Sequence, residues 1–348
     1  MRIARRGLLL SVLLGSVMSL PALAQDKVVI GYSAPGLVGA QAQIQAGLVT
    51  SAEAKGWEVL TTTSGGDAQK QLNDINDFIA QGVSAIVAVP DDSAGICLAV
   101  QAAKDAGIPF YTIDRSPSGC VIDMTVLSDN YLAGKQSAEA TVAFLTTRYG
   151  SAKGKVLEIT GNLSQNVAQL RGGGFNDVMK QYPEIIVITK VGDWDSAKGV
   201  DIVRDVGATE ADLDAIYFHS DSVYSAGALQ TLKEIGKFVP AGQDGHIFVG
   251  GVDGSLGMLD LIRDGSFDQS SNQPIPDFGV LVADYIEKAL KGDKIEPGVV
   301  TQDGALWSPA RLEMSDVGLQ LFLGTTSVGK DNVDDARLWG NIEKANGG

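Results

Sequence analysis

The chain has 348 residues, 45% of them hydrophobic, with 42 acidic against 27 basic side chains and a formal net charge of −15. The length suits two domains of ordinary size, and the apolar share suits packed interiors rather than a disordered chain. The acidity argues against nucleic acid or an anionic lipid surface as a partner.

The N-terminus sets the compartment. Arg2, Arg5 and Arg6 form a short basic region, Gly7 to Leu20 is apolar apart from serines, and Ala22-Leu23-Ala24 gives a small-x-small site before Gln25. This is the three-part pattern of a secretory signal peptide, and the apolar run is too short for a membrane anchor. We expect residues 1–24 to be cleaved on the general secretion route. No cysteine follows the site, so no lipid anchor is marked. A diffusible exported protein of this kind needs an outer membrane to retain it, which points to a Gram-negative periplasm.

Past the leader, short β-branched runs alternate with helix-length amphipathic segments. Lys27–Ser33 predicts a strand, Ala40–Lys55 a helix, Trp57–Thr63 a strand and Ala68–Gln81 a helix. Ser84–Pro90 is the third strand, Gly95–Ala106 a helix and Ile108–Asp114 the fourth strand. Repeated strand–helix units with near-continuous apolar strands imply a parallel sheet covered on both faces. Cys97 opens the helix after the third strand and Cys120 lies in the loop after the fourth, so both fall at the carboxyl edge of neighbouring strands. An isolated pair in an oxidising compartment favours a disulfide over a metal site; two separate buried thiols are the alternative.

The pattern then restarts. Tyr131–Tyr149 predicts a crossover helix, followed by strand Lys155–Thr160, helix Asn166–Gln181, strand Ile185–Val191 and helix Ser196–Gly207. Strand Ala215–His219, helix Val223–Gly236, strand His246–Val252, helix Leu256–Asp264, strand Phe267–Asn272 and helix Asp277–Lys291 complete it. The fold class is therefore α/β, as two Rossmann-like lobes with parallel central sheets. No interior stretch reads as a linker, so more than one crossing should join the lobes.

In open α/β sheets, ligands bind outside the carboxyl ends of strands. Those positions hold Ser33, Asp91, Asp92, Asp114, Arg115, Asn162, Asp193, Trp194, Asp195, Ser220, Asp221, Asp253 and Gln273, with Arg171 slightly further on. Carboxylates and guanidinium groups can read both the donor and the acceptor side of a hydroxyl, and an indole can stack on the C–H face of a ring. Bland roles compete at each position. Asp91, Asp92 and Asp221 suit helix N-caps, Asp114 and Arg115 could be a structural ion pair, Arg171 a solvated helix residue and Trp194 a core residue. Enzyme chemistry has little support. His219 and His246 are the only histidines, no Gly-x-Ser-x-Gly elbow or paired metal-ligand motif occurs, and Gly31–Gly39 lacks dinucleotide spacing. We therefore expect no catalysis, no cofactor and no metal. An amino-terminal helix-turn-helix with a basic face, which a repressor would need, is also missing from the pattern.

The segments IDR (Ile113–Arg115), SDN (Ser128–Asn130) with Gly134-Lys135, LRGGGF (Leu170–Phe175), GDWD (Gly192–Asp195), GGVDG (Gly250–Gly254) and NQPIPDFG (Asn272–Gly279) occur in this order. Together they resemble the ribose-binding protein family of periplasmic sugar receptors, from about Lys27 to Gly298. The resemblance implies a bilobal fold with a three-segment hinge near Ser128–Asp129, Gln269–Gln273 and Thr301–Ala310. It places the amino-terminal lobe at 25–128 plus 273–305 and the carboxyl-terminal lobe at 129–272; past the resemblance, 306–348 reads as an extension across the hinge. In that extension, Leu338 and Trp339 read either as a docking patch or, preferably, as part of a wrap that stabilises the hinge.

By the same resemblance, Asp114, Arg115, Arg171, Asp253 and Gln273 match positions that bond sugar hydroxyls, Trp194 matches a stacking aromatic and Ser33 a polar position on the first strand. The family's Asn-Pro-Phe-Phe loop is here Leu37-Val38-Gly39-Ala40, and its asparagine on a later strand is Ser220, beside Asp221. The first lobe thus offers less stacking surface, and we expect a compact sugar other than ribose or a small polyol. The implied partner is an ABC permease in the inner membrane, with the receptor acting as a monomer. A receptor for a chemotaxis or sensor-kinase partner, reading a sugar or a furanone, is the alternative.

Overall fold

Residues 27–345 and 347 are described by a computed structural model; the leader expected at 1–24 lies outside the described residues. The first half of the chain runs β1 (Val29–Ala34), α1 (Ala40–Ala54), β2 (Glu58–Thr63), α2 (Ala68–Gln81), β3 (Ala85–Ala88), α3 (Cys97–Asp105), β4 (Phe110–Ile113) and β5 (Met124–Ser128). Local chemistry sets these limits. Asp67 caps α2 by accepting from the Gln69 and Lys70 amides, and Gly82 ends it in a left-handed conformation at φ 68°, where a side chain would be strained. Side chains on a strand alternate between faces. Val87 and Val89 therefore join one buried cluster with Ile30 and Tyr32, while Ile86 and Ala88 join another with Ile75 and Phe78. The sheet is buried on both faces, as expected for a parallel sheet.

The second half runs α4 (Asn130–Tyr149), β6 (Gly154–Thr160), α5 (Asn166–Met179), β7 (Ile185–Val191), α6 (Ser196–Thr209), β8 (Leu213–Phe218), α7 (Asp221–Glu234), β9 (Phe248–Asp253), α8 (Leu256–Asp264) and β10 (Gln269–Asn272). The chain ends with α9 (Ile275–Leu290), β11 (Gly298–Val300), β12 (Ala310–Ser315), β13 (Gly318–Leu323), β14 (Thr326–Val328) and α10 (Trp339–Ala345). Two sheets result, with strand orders β11-β12-β13-β5-β4-β3-β1-β2 and β14-β10-β9-β8-β6-β7. Pairing is parallel except at the edges, where β11, β12 and β14 run antiparallel to their neighbours. The first lobe is built on the first sheet and the second lobe on the second.

Strands β5 and β11–β14 are not among the elements predicted above. β12 nonetheless alternates apolar and polar residues along Ala310–Ser315 and buries Ala310 and Leu312. The pairing of these strands moves the third crossing. The chain passes between sheets at Ser128–Asn130, at Asn272–Ile275 and at Gly324–Thr325, not at Thr301–Ala310, because β12 and β13 remain in the first sheet. The crossings lie side by side, with Leu323 paired to Ser128 and Thr326 to Asn272. Gln136 clamps the third one by exchanging hydrogen bonds with the Thr325 carbonyl at 3.0 Å and hydroxyl at 2.9 Å. Cys97 and Cys120 are bridged, with Cα atoms 5.6 Å apart, so the alternative of two separate thiols falls. Leu338 and Trp339 are both buried and form no exposed patch.

Candidate functional site

The carboxyl ends of both sheets face a cleft of about 890 Å³ between the lobes, within the usual range for small-molecule sites. Among the described residues, Asp114 (φ 65°), Asp193 (φ 62°), Trp194 (φ 55°) and Asp253 (φ 141°) are the non-glycine residues with positive φ. All four line this cleft. Such backbone conformations cost of order 1–3 kcal/mol each and tend to gather at functional sites.

The second lobe's wall is a closed network around Asp253. Arg171 donates from Nε to Asn130 at 2.9 Å and from Nη1 to the His219 carbonyl, and reaches Asp253 Oδ1 at 3.5 Å. Gln273 Nε2 donates to the same oxygen at 2.8 Å, while Ser220 and Ser222 donate to Oδ2 at 2.6 and 2.5 Å. Helix packing puts Arg171 there. A Cβ on Gly134 of α4 would lie 2.0 Å from the Arg171 carbonyl, and one on Gly174 of α5 would lie 2.0 Å from the Tyr131 carbonyl. Only glycines let the two helices approach so closely. Gly161 has the same use at the end of β6, since a Cβ there would sit 1.9 Å from the Trp194 ring. Asp195 caps α6 through the Ala197 and Lys198 amides, which fixes the turn that carries Trp194. The Arg171 guanidinium lies 5.8 Å from the indole centroid.

The first lobe's wall is sparser. Asp114 Oδ2 accepts from Gln41 at 3.0 Å and lies 3.6 Å from Arg115 Nε. Arg115 donates from Nη1 to the Pro90 carbonyl at 3.0 Å. Asp91 also lines the cleft; Asp92, not Asp91, caps the following turn, through the Ala94 and Gly95 amides. Gln71 holds the Asp91 backbone amide at 2.9 Å, and burial pushes the Asp91 carboxyl up. The Asp91 oxygens, Arg115 Nε, Gln41 Oε1 and Gln273 Oε1 are buried without a protein hydrogen bond within 3.5 Å, a condition that is rare in native proteins and calls for an explanation.

The lobes touch across the mouth of the cleft. Gln165 accepts from the Trp194 indole at 2.5 Å and donates to the Asp91 carbonyl at 2.8 Å. Asn166 donates its amide to Ser93 Oγ at 3.1 Å and accepts from the Ser116 amide at 3.0 Å.

Of the residues singled out from the sequence, Asp114, Arg115, Arg171, Trp194, Ser220, Asp253 and Gln273 line the cleft together, with Asp91, Asn162, Asp193 and Asp195 beside them. Asp92, spent on its cap, does not, and neither do three others. Ser33 is fully buried on β1, with Gln71 Nε2 3.5 Å from its hydroxyl. Leu37 leaves the wall to its neighbours Gly36 and Val38. Asp221 sits behind Asp253 and accepts from the Gly254 and Ser255 amides and from the Ser255 and Ser270 hydroxyls. Burial, reinforced by the charge of Asp253, pushes the Asp221 carboxyl up to about 7. Gln41, Gln165 and Ser222 are not among the residues the sequence singles out, and Trp339 is there as part of the extension, not as a partner of the Asp253 turn. Gln41 and Ser222 flank flagged segments and a wider window would have caught them, but nothing local marks Gln165 or that role of Trp339.

Both histidines are held by carboxylates away from the cleft: His219 Nε2 lies 3.0 Å from Glu158, and His246 Nε2 lies 2.9 Å from Asp268. Burial holds the His219 imidazole below its ordinary value. Among the described residues no cluster of three or more His, Cys, Asp or Glu could hold a metal ion. Nor is any helix among them long and apolar enough to cross a membrane.

Comparison with known proteins gives a consistent picture. A family model described as a periplasmic binding protein domain matches residues 30–294. The ribose import binding protein of Bacillus subtilis is 30% identical over 254 residues, covering 73% of this chain and 78% of the relative. The xylitol-binding protein of Mycolicibacterium smegmatis is 28% identical, covering 65% of this chain and 62% of its own length. Among solved structures, a galactofuranose binding protein superposes with a TM-score of 0.75 at 25% identity, over 91% of this chain and 99% of that one.

Proposed function

As the chain belongs to the periplasmic binding protein family, we propose that it is the solute receptor of an ABC importer, capturing a monosaccharide or small polyol by closure of the two lobes. The observation that carries this reading is the convergence in one cleft of Asp114 and Arg115 from the first lobe with Arg171, Trp194 and Asp253 from the second. Charged hydrogen bonds contribute roughly 1.5–3 kcal/mol each, so several suffice for micromolar affinity, about −8 kcal/mol. Ring C–H groups stack on Trp194, and hydroxyls bridge the two sets of charged groups. A solute bound to both lobes favours the closed state by its differential affinity for it. The names of the ribose, xylitol and galactofuranose relatives support a polyhydroxylated solute.

The same reading assigns 25–128 with 273–305 to the first lobe and 129–272 to the second; of 306–348 it keeps β12 and β13 with the first lobe and takes the rest across at Gly324–Thr325. It makes residues 1–24 a cleaved signal, the periplasm the place of work, and an inner-membrane permease the partner of a monomeric receptor. It also makes the chain a binder and not an enzyme, in keeping with histidines committed to Glu158 and Asp268. A thermal-shift panel of pentoses, hexoses and polyols tests it. At about 100 times its Kd, a true solute adds about 2.7 kcal/mol of stability and a clear rise in Tm. No rise with any member of the panel would contradict the reading.

A further inference from the structure

The last residues of the chain lie beyond the family match, which ends at 294, yet they reach the centre of the cleft from behind. Trp339 at the start of α10 is 3% exposed, and its Nε1 donates to the Asp253 carbonyl at 2.6 Å. That carbonyl also accepts from the Gln273 amide at 3.0 Å. Gly340 packs so closely that a Cβ would lie 2.6 Å from the Leu256 amide and 2.8 Å from the Gly254 carbonyl. The tail is fastened to the second lobe through Arg263, which donates to Asp334 at 2.6 Å and to the Val333 carbonyl at 3.1 Å, and through Lys344, which donates to Asp260 at 3.0 Å. On its other side it meets the first lobe. The Trp339 ring belongs to the buried cluster that holds Ile44 and Leu48 of α1 and Phe278 of α9, and Glu343 accepts from Gln43 of α1 at 3.3 Å.

Asp253 needs such support. Its φ of 141° is unfavourable for a residue with a side chain, and such a conformation persists only where the surroundings over-determine it. Asp221 grips the two amides that follow it. Trp339 grips its carbonyl, from an element whose ring is packed in the other lobe.

We propose that Trp339 is a positioning residue: it holds the Asp253 turn in the conformation that presents the carboxylate to the cleft and ties that turn to the first lobe. The affinity readout below rests on the cleft being the solute site; the exchange readout does not, so the two readings fail separately. Full-length protein is compared by hydrogen–deuterium exchange as wild type, as Trp339→Phe, which keeps a ring but loses the N–H, and as Lys344→Ala, which loosens α10 without touching Asp253. In Trp339→Phe the amides from Val252 to Leu256 should exchange roughly tenfold faster, with the far-UV spectrum unchanged and the Lys344→Ala variant like wild type there. Affinity for whichever of D-ribose, D-galactose and xylitol shifts the wild-type Tm most should fall roughly 5- to 10-fold. Unchanged exchange at that turn in Trp339→Phe, or equal acceleration in both variants, overturns the proposal. Should Trp339→Phe fail to fold, the wild type decides: an indole N–H of Trp339 that exchanges freely in 15N NMR overturns it, and a protected one upholds it.

Discussion

The second lobe offers the cleft a carboxylate, Asp253, whose two oxygens are already held by Arg171, Gln273, Ser220 and Ser222. The first lobe offers Asp114, held by Gln41 and the neighbouring Arg115, and loops with Gly36, Gly39, Gly65 and Gly66 in the wall. The difference is one of preorganisation. On the second lobe the ordering cost of the binding groups is met when the chain folds, so little is left to meet on association. On the first lobe the groups are fewer and less restrained. Substitutions in the second lobe's cleft wall should therefore damage folding and binding together, whereas those in the first lobe's cleft wall should damage binding alone.

The largest expected effect breaks the second lobe. Arg171→Ala removes the partner of a buried carboxylate and leaves the His219 carbonyl and Asn130 without their donor. Loss of one member of a buried pair costs about 3–5 kcal/mol, to be read by urea denaturation, and solute binding should vanish. Removal of the bridge by Cys97→Ser with Cys120→Ser comes next. The bond closes a loop of sequence separation 23, for which chain entropy gives about 3 kcal/mol. Because the bridge lies in the first lobe away from the cleft wall, Kd should stay as in wild type, a separation that titration calorimetry can check. Asp114→Asn, in the first lobe, should cost roughly 1.5–3 kcal/mol of binding, or about 10- to 150-fold in Kd, with the urea midpoint nearly unchanged. A drop in stability as large as that of Arg171→Ala would erase the contrast between the lobes.

Much of this was legible from sequence because the pattern of parallel strands and amphipathic helices is local. Val87 and Ile86 announce a two-faced strand by themselves, and the residues just past each strand fall on one edge whatever the packing details. That logic located Asp114, Arg115, Trp194, Asp253 and Gln273. It failed where position along the chain does not determine orientation. Asp221 opens a helix beside the site, but its carboxylate turns to the amides of the β9–α8 turn instead of the cleft. Ser33 is one residue from the end of β1 and stays inside the lobe. Trp339 and Gln165 owe their roles to partners 86 and 74 residues away in the chain, which no local spacing encodes. The third crossing was misplaced for a related reason: an antiparallel hairpin such as β12–β13 can join either lobe, and only its pairing with β5 decides.

One effect, at Asp221, depends on pH, and its sign follows from the direction of the shift. A carboxyl raised from 3.8 to about 7 takes up a proton on folding, so the stability it contributes in acid is lost as pH rises through that interval. Asp221→Asn removes the titration. The Tm of the variant relative to wild type should climb between pH 4 and 7 and level off above; a constant difference would show that Asp221 is ionised throughout.

Titration calorimetry on Asp114→Ala and Trp194→Ala, one residue from each wall of the cleft, tests most directly whether a single solute is clamped by both lobes. With the best solute from the thermal-shift panel, wild type should bind one molecule per chain, and each variant should lose roughly 10-fold or more in affinity. Wild-type affinity in either variant would mean that the solute engages only one lobe, and would contradict the account.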